Sequence, residues 1–271
     1  MSSVFVIGST NVDTVLTVHR HPEVGETLTA TGVSVRPGGK GANQAAACAL
    51  AGGSTVFVTR VGDDPLADRY RRHLVARGVD DSQLGVVPGP TGQASIVVDD
   101  RGENTIIVVP GANAALDVSA VTALEDVVQA GDIVSLQLEV PVDVVRAALE
   151  LARRRGAVGM LNPSPWREDI ADLIDLADIV VVNEAEAAQL GLDDDRVVRT
   201  LGADGARWGD VRVSAPKIEA VDTTGAGDAF TGTLAASLAQ GLDRAAALSA
   251  AVTAASEACL EPGAQRWAPG V

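Results

Sequence analysis

Short runs of β-branched residues alternate with Ala- and Leu-rich stretches along most of this 271-residue chain. The runs with the composition of strands are residues 4–7, 55–59, 133–138, 158–161, 179–182 and 197–201. The stretches that predict helices are residues 41–51, 65–77, 117–129, 142–155, 168–177 and 184–190. Because strand–helix–strand order makes neighbouring strands parallel, the chain predicts an α/β fold: a doubly wound, mostly parallel sheet with helices on both faces.

Two segments break this alternation, because polar and apolar residues follow each other one by one in them. Residues 26–35 and 93–109 have the pattern of half-exposed antiparallel strands, the second with a hairpin turn near residues 100–102. We interpret them as a small β lid over one end of the main sheet. Two long helices, about 226–240 and 243–259, close the chain. No repeat or linker marks a second unit, so residues 1–271 predict a single domain.

Charge and cysteine content exclude several classes of protein. The chain has 36 Asp and Glu against 21 Lys and Arg, and its net charge of −15 disfavours a nucleic-acid partner. Cys48 and Cys259 are the only cysteines, too few for a disulfide framework, which fits a reducing cytoplasm. The first apolar run ends at Gly8, and none reaches the roughly 20 residues of a membrane helix. We therefore expect a cytoplasmic protein without an export signal or membrane contact.

The most informative stretch is VDTTGAGDAFTG at residues 221–232, where a β-type segment passes through glycines into a helix. Gly225, Ala226 and Gly227 let the backbone turn and direct free amides outward, and the helix N-terminus adds partial positive charge. Asp228 follows in the first turn, where a carboxylate can take a proton from a hydroxyl while the amides hold a phosphoryl group. The alternative is that Asp228 only caps the helix and the glycines only make a turn.

A second Gly-rich stretch, RPGGKGANQAAACALAGG at residues 36–53, also joins a loop to a helix. Gly39 allows a ligand to approach the backbone, and Lys40 and Asn43 offer donors that suit sugar hydroxyls. A plain helix start with Ala-rich packing explains this stretch equally well.

Five stretches, taken in order, resemble the motifs of the ribokinase-like (PfkB) carbohydrate kinases. They are GSTNVD at 8–13, PGGKGANQ at 37–44, NEAE at 183–186, TLGADG at 200–205 and DTTGAGDAF at 222–230. The resemblance runs over nearly the whole chain, and GET at 25–27, PGAN at 110–113 and SLQLEVP at 135–141 are similar to the ribokinase branch. It implies an ATP-dependent sugar kinase that phosphorylates a primary hydroxyl, with D-ribose giving ribose 5-phosphate.

The resemblance also implies a role for each motif residue. The sugar would be held by Asn11, Asp13, Gly39, Lys40, Asn43, Glu139 and Asp228. The nucleotide would be bordered by Asn183, Thr200, Gly202, Gly205 and Gly227. Asn183 and Glu186 would position Mg²⁺ through waters, and Asp222 and Thr224 would lie beside a monovalent cation, K⁺. Taken alone, Asn11 and Asp13 are also explained as turn formers, and Glu186 as a solvated helix acid.

Two features depart from the family pattern. The stretches 183–200 and 205–217 are short, which predicts a trimmed helix or hairpin on the nucleotide side and leaves the adenine contacts open. Trp267 stands where a small hydroxyl residue is usual, which leaves activation by a monovalent cation open.

Three functions remain open at this point. The first is a ribose kinase, the second is the same chemistry on another pentose, a ketohexose or a nucleoside, and the third is a non-catalytic sugar or nucleotide sensor. Asp228 argues against the sensor, because binding alone needs no base. Since exposed lid strands invite edge-to-edge pairing, we also expect a homodimer through residues 26–35 and 93–109.

Overall fold

The structure is a computed structural model that describes residues 2–271. Its strands are β1 (Ser3–Ile7), β2 (Asn11–Thr17), β3 (Gly32–Gly38), β4 (Ser54–Gly62), β5 (Leu84–Val87), β6 (Gly92–Val98), β7 (Asn104–Val109), β8 (Ile133–Leu136), β9 (Val158–Leu161), β10 (Ile179–Val182), β11 (Val197–Thr200), β12 (Ala206–Trp208) and β13 (Val211–Val213). Its α-helices are α1 (Lys40–Leu50), α2 (Pro65–Ala76), α3 (Val118–Thr122), α4 (Val142–Arg155), α5 (Ala171–Leu176), α6 (Glu184–Leu190), α7 (Ala226–Ala239) and α8 (Arg244–Ala258). The α/β class is confirmed.

Nine strands form the main sheet, in the order β13-β12-β11-β10-β9-β8-β1-β4-β5. Pairing is parallel from β11 to β5, and β12 and β13 add antiparallel strands at one edge. The chain winds outward from β1 in one direction through β4 and in the other through β8. In such sheets ligands bind beyond the carboxyl ends of the strands at the point where the winding reverses, which here lies between β1 and β8.

Helices cover both faces of this sheet. Side chains of β1 alternate between two apolar cores, with Val4 in one and Phe5 in the other. The core that contains Val4 includes Leu234 of α7, and the core that contains Phe5 includes Leu149 of α4. A sheet covered in this way needs strands that are apolar on both faces, which is why its strands are Val- and Ile-rich.

A second sheet has four strands in the order β3-β2-β6-β7. The hairpin turn near residues 100–102 is present, closed by backbone amides of Arg101 and Glu103 that donate to Asp99. The predicted bounds of this lid were wrong at two places. Residues 26–31 lie outside its strands, and β2, one of its two inner strands, was not predicted. The polar residues at the start of β2 disfavour a strand from sequence alone. Pairing with both β3 and β6 outweighs this local preference.

Two predicted helices are shorter in the structure. Only Val118–Thr122 of residues 117–129 is α-helical, because several of the following backbone bonds join residues three apart, as in Leu124 N to Val121 O at 3.0 Å. Of residues 168–177, only Ala171–Leu176 forms a helix. Among the residues described, no helix has the length and apolar character needed to cross a membrane.

Candidate active site

Asp228 lies in the first turn of α7 and faces α1. Its carboxylate is buried, 5% exposed, and accepts hydrogen bonds from Asn43 Nδ2 at 3.0 Å and Gln44 Nε2 at 3.1 Å. Gly225, with φ of 81°, is the residue before the helix and adopts a left-handed conformation that other residues rarely take. The chain therefore enters α7 at an angle that brings Asp228 against the amides of α1.

The backbone amides beside Asp228 offer an anion site. Ala226 N donates to Thr223 O at 3.2 Å, whereas the amides of Gly225, Gly227 and Asp228 have no acceptor within residues 2–271. Ala226 is thus not one of the free donors, contrary to the prediction for this loop. Free amides at a helix N-terminus bind phosphate groups, because they combine unpaired donors with the positive end of the helix dipole.

A buried amide network holds Asp228 from below. Gln44, fully buried, accepts a hydrogen bond from Gln137 Nε2 at 2.6 Å and donates to Asn162 Oδ1 at 3.3 Å. Asn162 in turn donates to Val181 O at 2.9 Å. Sequence analysis missed Gln44, Gln137 and Asn162 as site residues. Gln137 and Asn162 had a signal, because each is a polar residue directly after an apolar strand, where a buried side chain needs a partner. Gln44 lies inside α1 and had no such signal.

Glu139 joins the ends of β1 and β8 to the start of α1. Its Oε2 atom accepts hydrogen bonds from Ser9 Oγ at 2.5 Å and from Lys40 N at 2.9 Å. The backbones approach closely here, since a Cβ on Gly41 would lie 2.5 Å from Ser9 N. Only glycine fits at that position, and the close approach brings Glu139 and Lys40 to the same edge of the site.

Asp13 of β2 carries an unpartnered buried oxygen. Oδ1 has no hydrogen-bond partner among the described residues. Burial, then the charges of Glu139 and Asp228, raise the pKa of Asp13 to about 7. Burial alone would lower the pKa of Lys40, but the carboxylates of Asp228, Glu139 and Glu186 raise it. A buried carboxylate oxygen without a partner, in a site that also contains the carboxylates of Glu139 and Asp228, suits a ligand with several hydroxyl groups.

Asn11 lies next to Asp13 on the same strand and is held by Asn113. Asn113 Nδ2 donates to Asn11 Oδ1 at 2.8 Å, and Asn113 Oδ1 accepts from Thr10 N at 2.8 Å. Asn113 therefore orients the Asn11 amide, a role that the PGAN motif at 110–113 did not reveal from sequence.

A cavity of about 620 Å³ opens on the other side of the α7 N-terminus. Four of the residues predicted to border the nucleotide line it: Thr200, Gly202, Gly205 and Gly227. The apolar side chains of Val252 and Ala255 from α8 form part of its wall. Its size suits a purine nucleotide, and Gly227 connects it to the free amides beside Asp228.

Comparison with known proteins decides the family. The model of the pfkB family carbohydrate kinases matches residues 1–269. The chain belongs to the pfkB family of carbohydrate kinases. This kinase is 36% identical to the ribokinase of Bacillus subtilis over 285 residues, which covers 99% of this chain and 97% of the relative. It is 34% identical to the deoxyribokinase of Salmonella typhi over 291 residues, or 98% of this chain and 95% of the relative. A solved structure of Arabidopsis thaliana ribokinase complexed with ribose and ATP superposes with a TM-score of 0.85 at 30% identity, and the match covers 97% of this chain and 94% of that one.

Asn183 and Glu186 of the kinase do not line the cavity. They cap the N-terminus of α6 by hydrogen bonding to each other. Asn183 Oδ1 accepts from Glu186 N at 2.8 Å, and Glu186 Oε2 accepts from Asn183 N at 2.9 Å. Glu186 is 8% exposed, so it is not a solvated helix acid. Within residues 2–271 no three His, Cys, Asp or Glu side chains are grouped to hold a metal ion. The role of Asn183 and Glu186 toward Mg²⁺ stays a prediction.

Asp222 links the loop before α7 to the C-terminal segment, residues 259–271 after the last helix. Its two oxygens accept from Thr224 N at 2.8 Å and Gly263 N at 2.7 Å. Burial would raise the pKa of Asp222, but the hydrogen bonds from Thr224 and Gly263 lower it, so the carboxylate stays charged. The indole of Trp267, which stands where the family usually has a small hydroxyl residue, packs toward β3 and donates its N–H to Val35 O at 2.8 Å.

Proposed function

We propose that this kinase transfers the γ-phosphoryl group of ATP to the primary 5-hydroxyl of D-ribose, giving ribose 5-phosphate and ADP. The observation that carries the proposal is the position of Asp228. Its buried carboxylate lies beside free backbone amides. On one side of it is the polar cluster of Asp13, Lys40 and Glu139, and on the other side is the cavity bordered by Gly227. A base between an acceptor site and a nucleotide site is what in-line phosphoryl transfer requires.

Asp228 would accept the proton of the sugar 5-hydroxyl while the hydroxyl oxygen bonds to the γ-phosphorus of ATP. The bond between the γ-phosphorus and the oxygen that bridges it to the β-phosphate breaks, and ADP leaves. The free amides of Gly225 and Gly227 would stabilise the charge on the transferred group. The amides of Asn43 and Gln44 hold the carboxylate in place without neutralising it, because both are uncharged donors. A carboxylate held in this way remains free to take the proton.

The sugar would bind in the cluster at the ends of β1 and β8. We assign Asn11, Asp13, Gly39, Lys40, Asn43, Glu139 and Asp228 to it. Asp13 Oδ1 supports this assignment most directly, because a buried acceptor without a partner needs a donor such as a sugar hydroxyl. The side chain of Asn43 has a second duty, since it already donates to Asp228.

We assign Mg²⁺ to the nucleotide phosphates, with Asn183 and Glu186 acting through waters. The ion would neutralise phosphate charge, which matters in a chain whose net charge of −15 repels ATP. K⁺ beside Asp222 and Thr224 would rest on backbone carbonyls, because Trp267 supplies no hydroxyl there. Since Cys48 and Cys259 are both free, we place the reaction in the reducing cytoplasm.

A second acceptor, 2-deoxyribose, is favoured by one observation: the deoxyribokinase of Salmonella typhi matches this chain at 34% identity, close to the 36% of the Bacillus subtilis ribokinase. The two sugars differ by one hydroxyl, and a site built to hydrogen-bond that hydroxyl discriminates strongly against its loss.

A coupled ADP-release assay tests the proposal with ribose, 2-deoxyribose, fructose, adenosine and inosine as acceptors. We expect ribose to have the highest kcat/KM. A higher value for 2-deoxyribose or a nucleoside would reassign the substrate, and no turnover with any acceptor in the presence of Mg²⁺ and K⁺ would favour a sensor.

We also propose a homodimer through the lid. All six residues of the edge strand β7 are exposed, among them Ile106 at 52% and Ile107 at 64%. Long apolar edge strands are rarely left open in soluble proteins, because they pair with other chains. Light scattering should give a dimer for the parent protein and a monomer for Ile107→Lys, with Val75→Lys on α2 as an exposed apolar control. A monomeric parent at working concentration would refute this interface.

A further inference from the structure

A fully buried histidine is connected to Asp228 through two amide side chains. His73 of α2 has no exposed surface, and its Nε2 lies 2.8 Å from Gln265 Oε1. Gln265 Nε2 donates to Asn43 Oδ1 at 2.7 Å, and Asn43 Nδ2 donates to Asp228 Oδ2 at 3.0 Å. Four side chains from α2, the C-terminal segment, α1 and α7 therefore form one continuous path that ends at the proposed base.

The direction of every bond in this path is fixed by its first donor. The backbone amide of Ala268 donates to His73 Nδ1 at 3.0 Å, so that nitrogen has no proton and the neutral ring carries its proton on Nε2. Nε2–H then donates to Gln265, which leaves the Gln265 amide group to donate to Asn43, and the Asn43 amide group to donate to Asp228. Hydrogen bonds that run in one direction polarise each other, so each donor is strengthened toward the carboxylate.

The surroundings keep His73 neutral and its ring fixed. Burial first, and then the charges of Arg77 and Arg69, lower the pKa of His73 against the opposing effect of its bond to Gln265. Tyr70 and Trp267 pack edge-on against the imidazole, with ring centres 5.8 and 5.4 Å away. Arg69 covers the Trp267 ring at 4.0 Å, so this aromatic cluster shields His73 from water.

We infer that His73 and Gln265 are positioning residues for the phosphoryl transfer: they orient the Asn43 amide so that its NH₂ group, and not its carbonyl, faces Asp228. The inference rests on the proposed role of Asp228 as the base. Without Gln265 the Asn43 amide loses the bond to its oxygen that fixes its orientation, so its NH₂ group can turn away from the carboxylate and leave Asp228 less well held for proton transfer. The C-terminal segment would then be part of the catalytic machinery through Gln265, although it lies beyond the last helix.

The first experiment replaces links of the path and compares kcat with KM. Gln265→Met keeps the side-chain length but cannot transmit the hydrogen bond, and we expect kcat with ribose to fall about tenfold while the KM for ATP stays within about twofold. His73→Phe should give a similar loss, and the double variant should lose no more than about twofold beyond either single one, because the two residues act in one path. Gln240→Met is the matched control and should leave kcat unchanged. Gln240 is exposed at the C-terminal end of α7, far along that helix from Asp228, and donates to Ala51 O. A kcat for Gln265→Met within twofold of the parent would overturn the inference, even if its melting temperature falls, since that pattern belongs to a tail anchor.

The second experiment reads the tautomer of His73 directly and needs no turnover. A long-range ¹H–¹⁵N correlation spectrum of the parent protein at pH 7 should give a neutral ring protonated at Nε2. A neutral ring with its proton on Nδ1 would reverse the path, and a charged ring would contradict the bond from Ala268 N to Nδ1, so either result would refute the inference. If the parent protein phosphorylates no acceptor, the proposed function fails, while the spectrum still decides whether the path exists.

Discussion

Asp228→Asn tests the base with the least change in shape. An asparagine there keeps one oxygen, which can still accept from Gln44 Nε2, but its NH₂ group then faces the Asn43 NH₂ group across a contact of 3.0 Å. Asn43 cannot rotate to relieve this opposition, because its oxygen already accepts from Gln265. The variant therefore loses one hydrogen bond and the proton acceptor, while the backbone amides of the anion site remain.

The magnitudes separate the two roles of the carboxylate. Loss of a general base lowers kcat by ~10²–10⁴, so we expect at least a hundredfold loss with ribose. Affinities for ribose and ATP should change by less than about tenfold, since most ground-state contacts come from other residues. The lost hydrogen bond costs ~1–2 kcal/mol, partly offset because Asp228 no longer repels Asp13. The melting temperature should therefore shift by only a few degrees.

The assay combines coupled ADP release for turnover with calorimetry for binding. Asp243→Asn is the control, because Asp243 caps the N-terminus of α8 by accepting from Ala246 N at 2.8 Å, where an acid has only a capping role. Asp243→Asn should cost up to about 1 kcal/mol of stability and leave kcat unchanged. If Asp228→Asn behaves in the same way as this control, with turnover close to that of the parent, the catalytic assignment is wrong.

Two further predictions concern the other acids of the site. Burial raises the pKa of Asp13 from 3.8 to about 7, so this residue lowers the stability of the free protein as pH rises from about 4 to about 7, and the loss is complete above pH 7. Asp13→Asn should therefore raise the melting temperature at pH 8 but not at pH 3.5, and it should weaken ribose binding at least about tenfold. A melting temperature lowered at pH 8 would contradict the raised pKa. Glu186→Gln should increase the Mg²⁺ concentration needed for half-maximal turnover and leave ribose affinity unchanged. The helix cap should survive, since the Gln amide oxygen can still accept from Asn183 N. Glu184→Gln, at an exposed position in the same turn of α6, is the control. Weaker ribose binding with unchanged Mg²⁺ dependence would assign Glu186 another role.

The sequence alone determined the parts of this protein that depend on local order. Short β-branched runs such as Ile179–Val182 favour strands buried on both faces, and their alternation with helical stretches predicts a doubly wound sheet. The turn through Gly225 into a helix that begins near Asp228 is also local, because it depends on the freedom of glycine and on the free amides of any helix start. The family motifs lie in these same segments, which is why the kinase class was recognisable.

Only the tertiary structure decided which side chains hold Asp228. Gln44, His73 and Gln265 lie 184, 155 and 37 residues from it in the chain, and none of them stands out in its own segment. Their roles arise because burial forces each polar side chain to find a partner, and the packing of α1, α2, α7 and the C-terminal segment determines which partner is within reach. The same reason explains the missed strand β2, whose polar residues form a strand because two neighbouring strands satisfy its backbone.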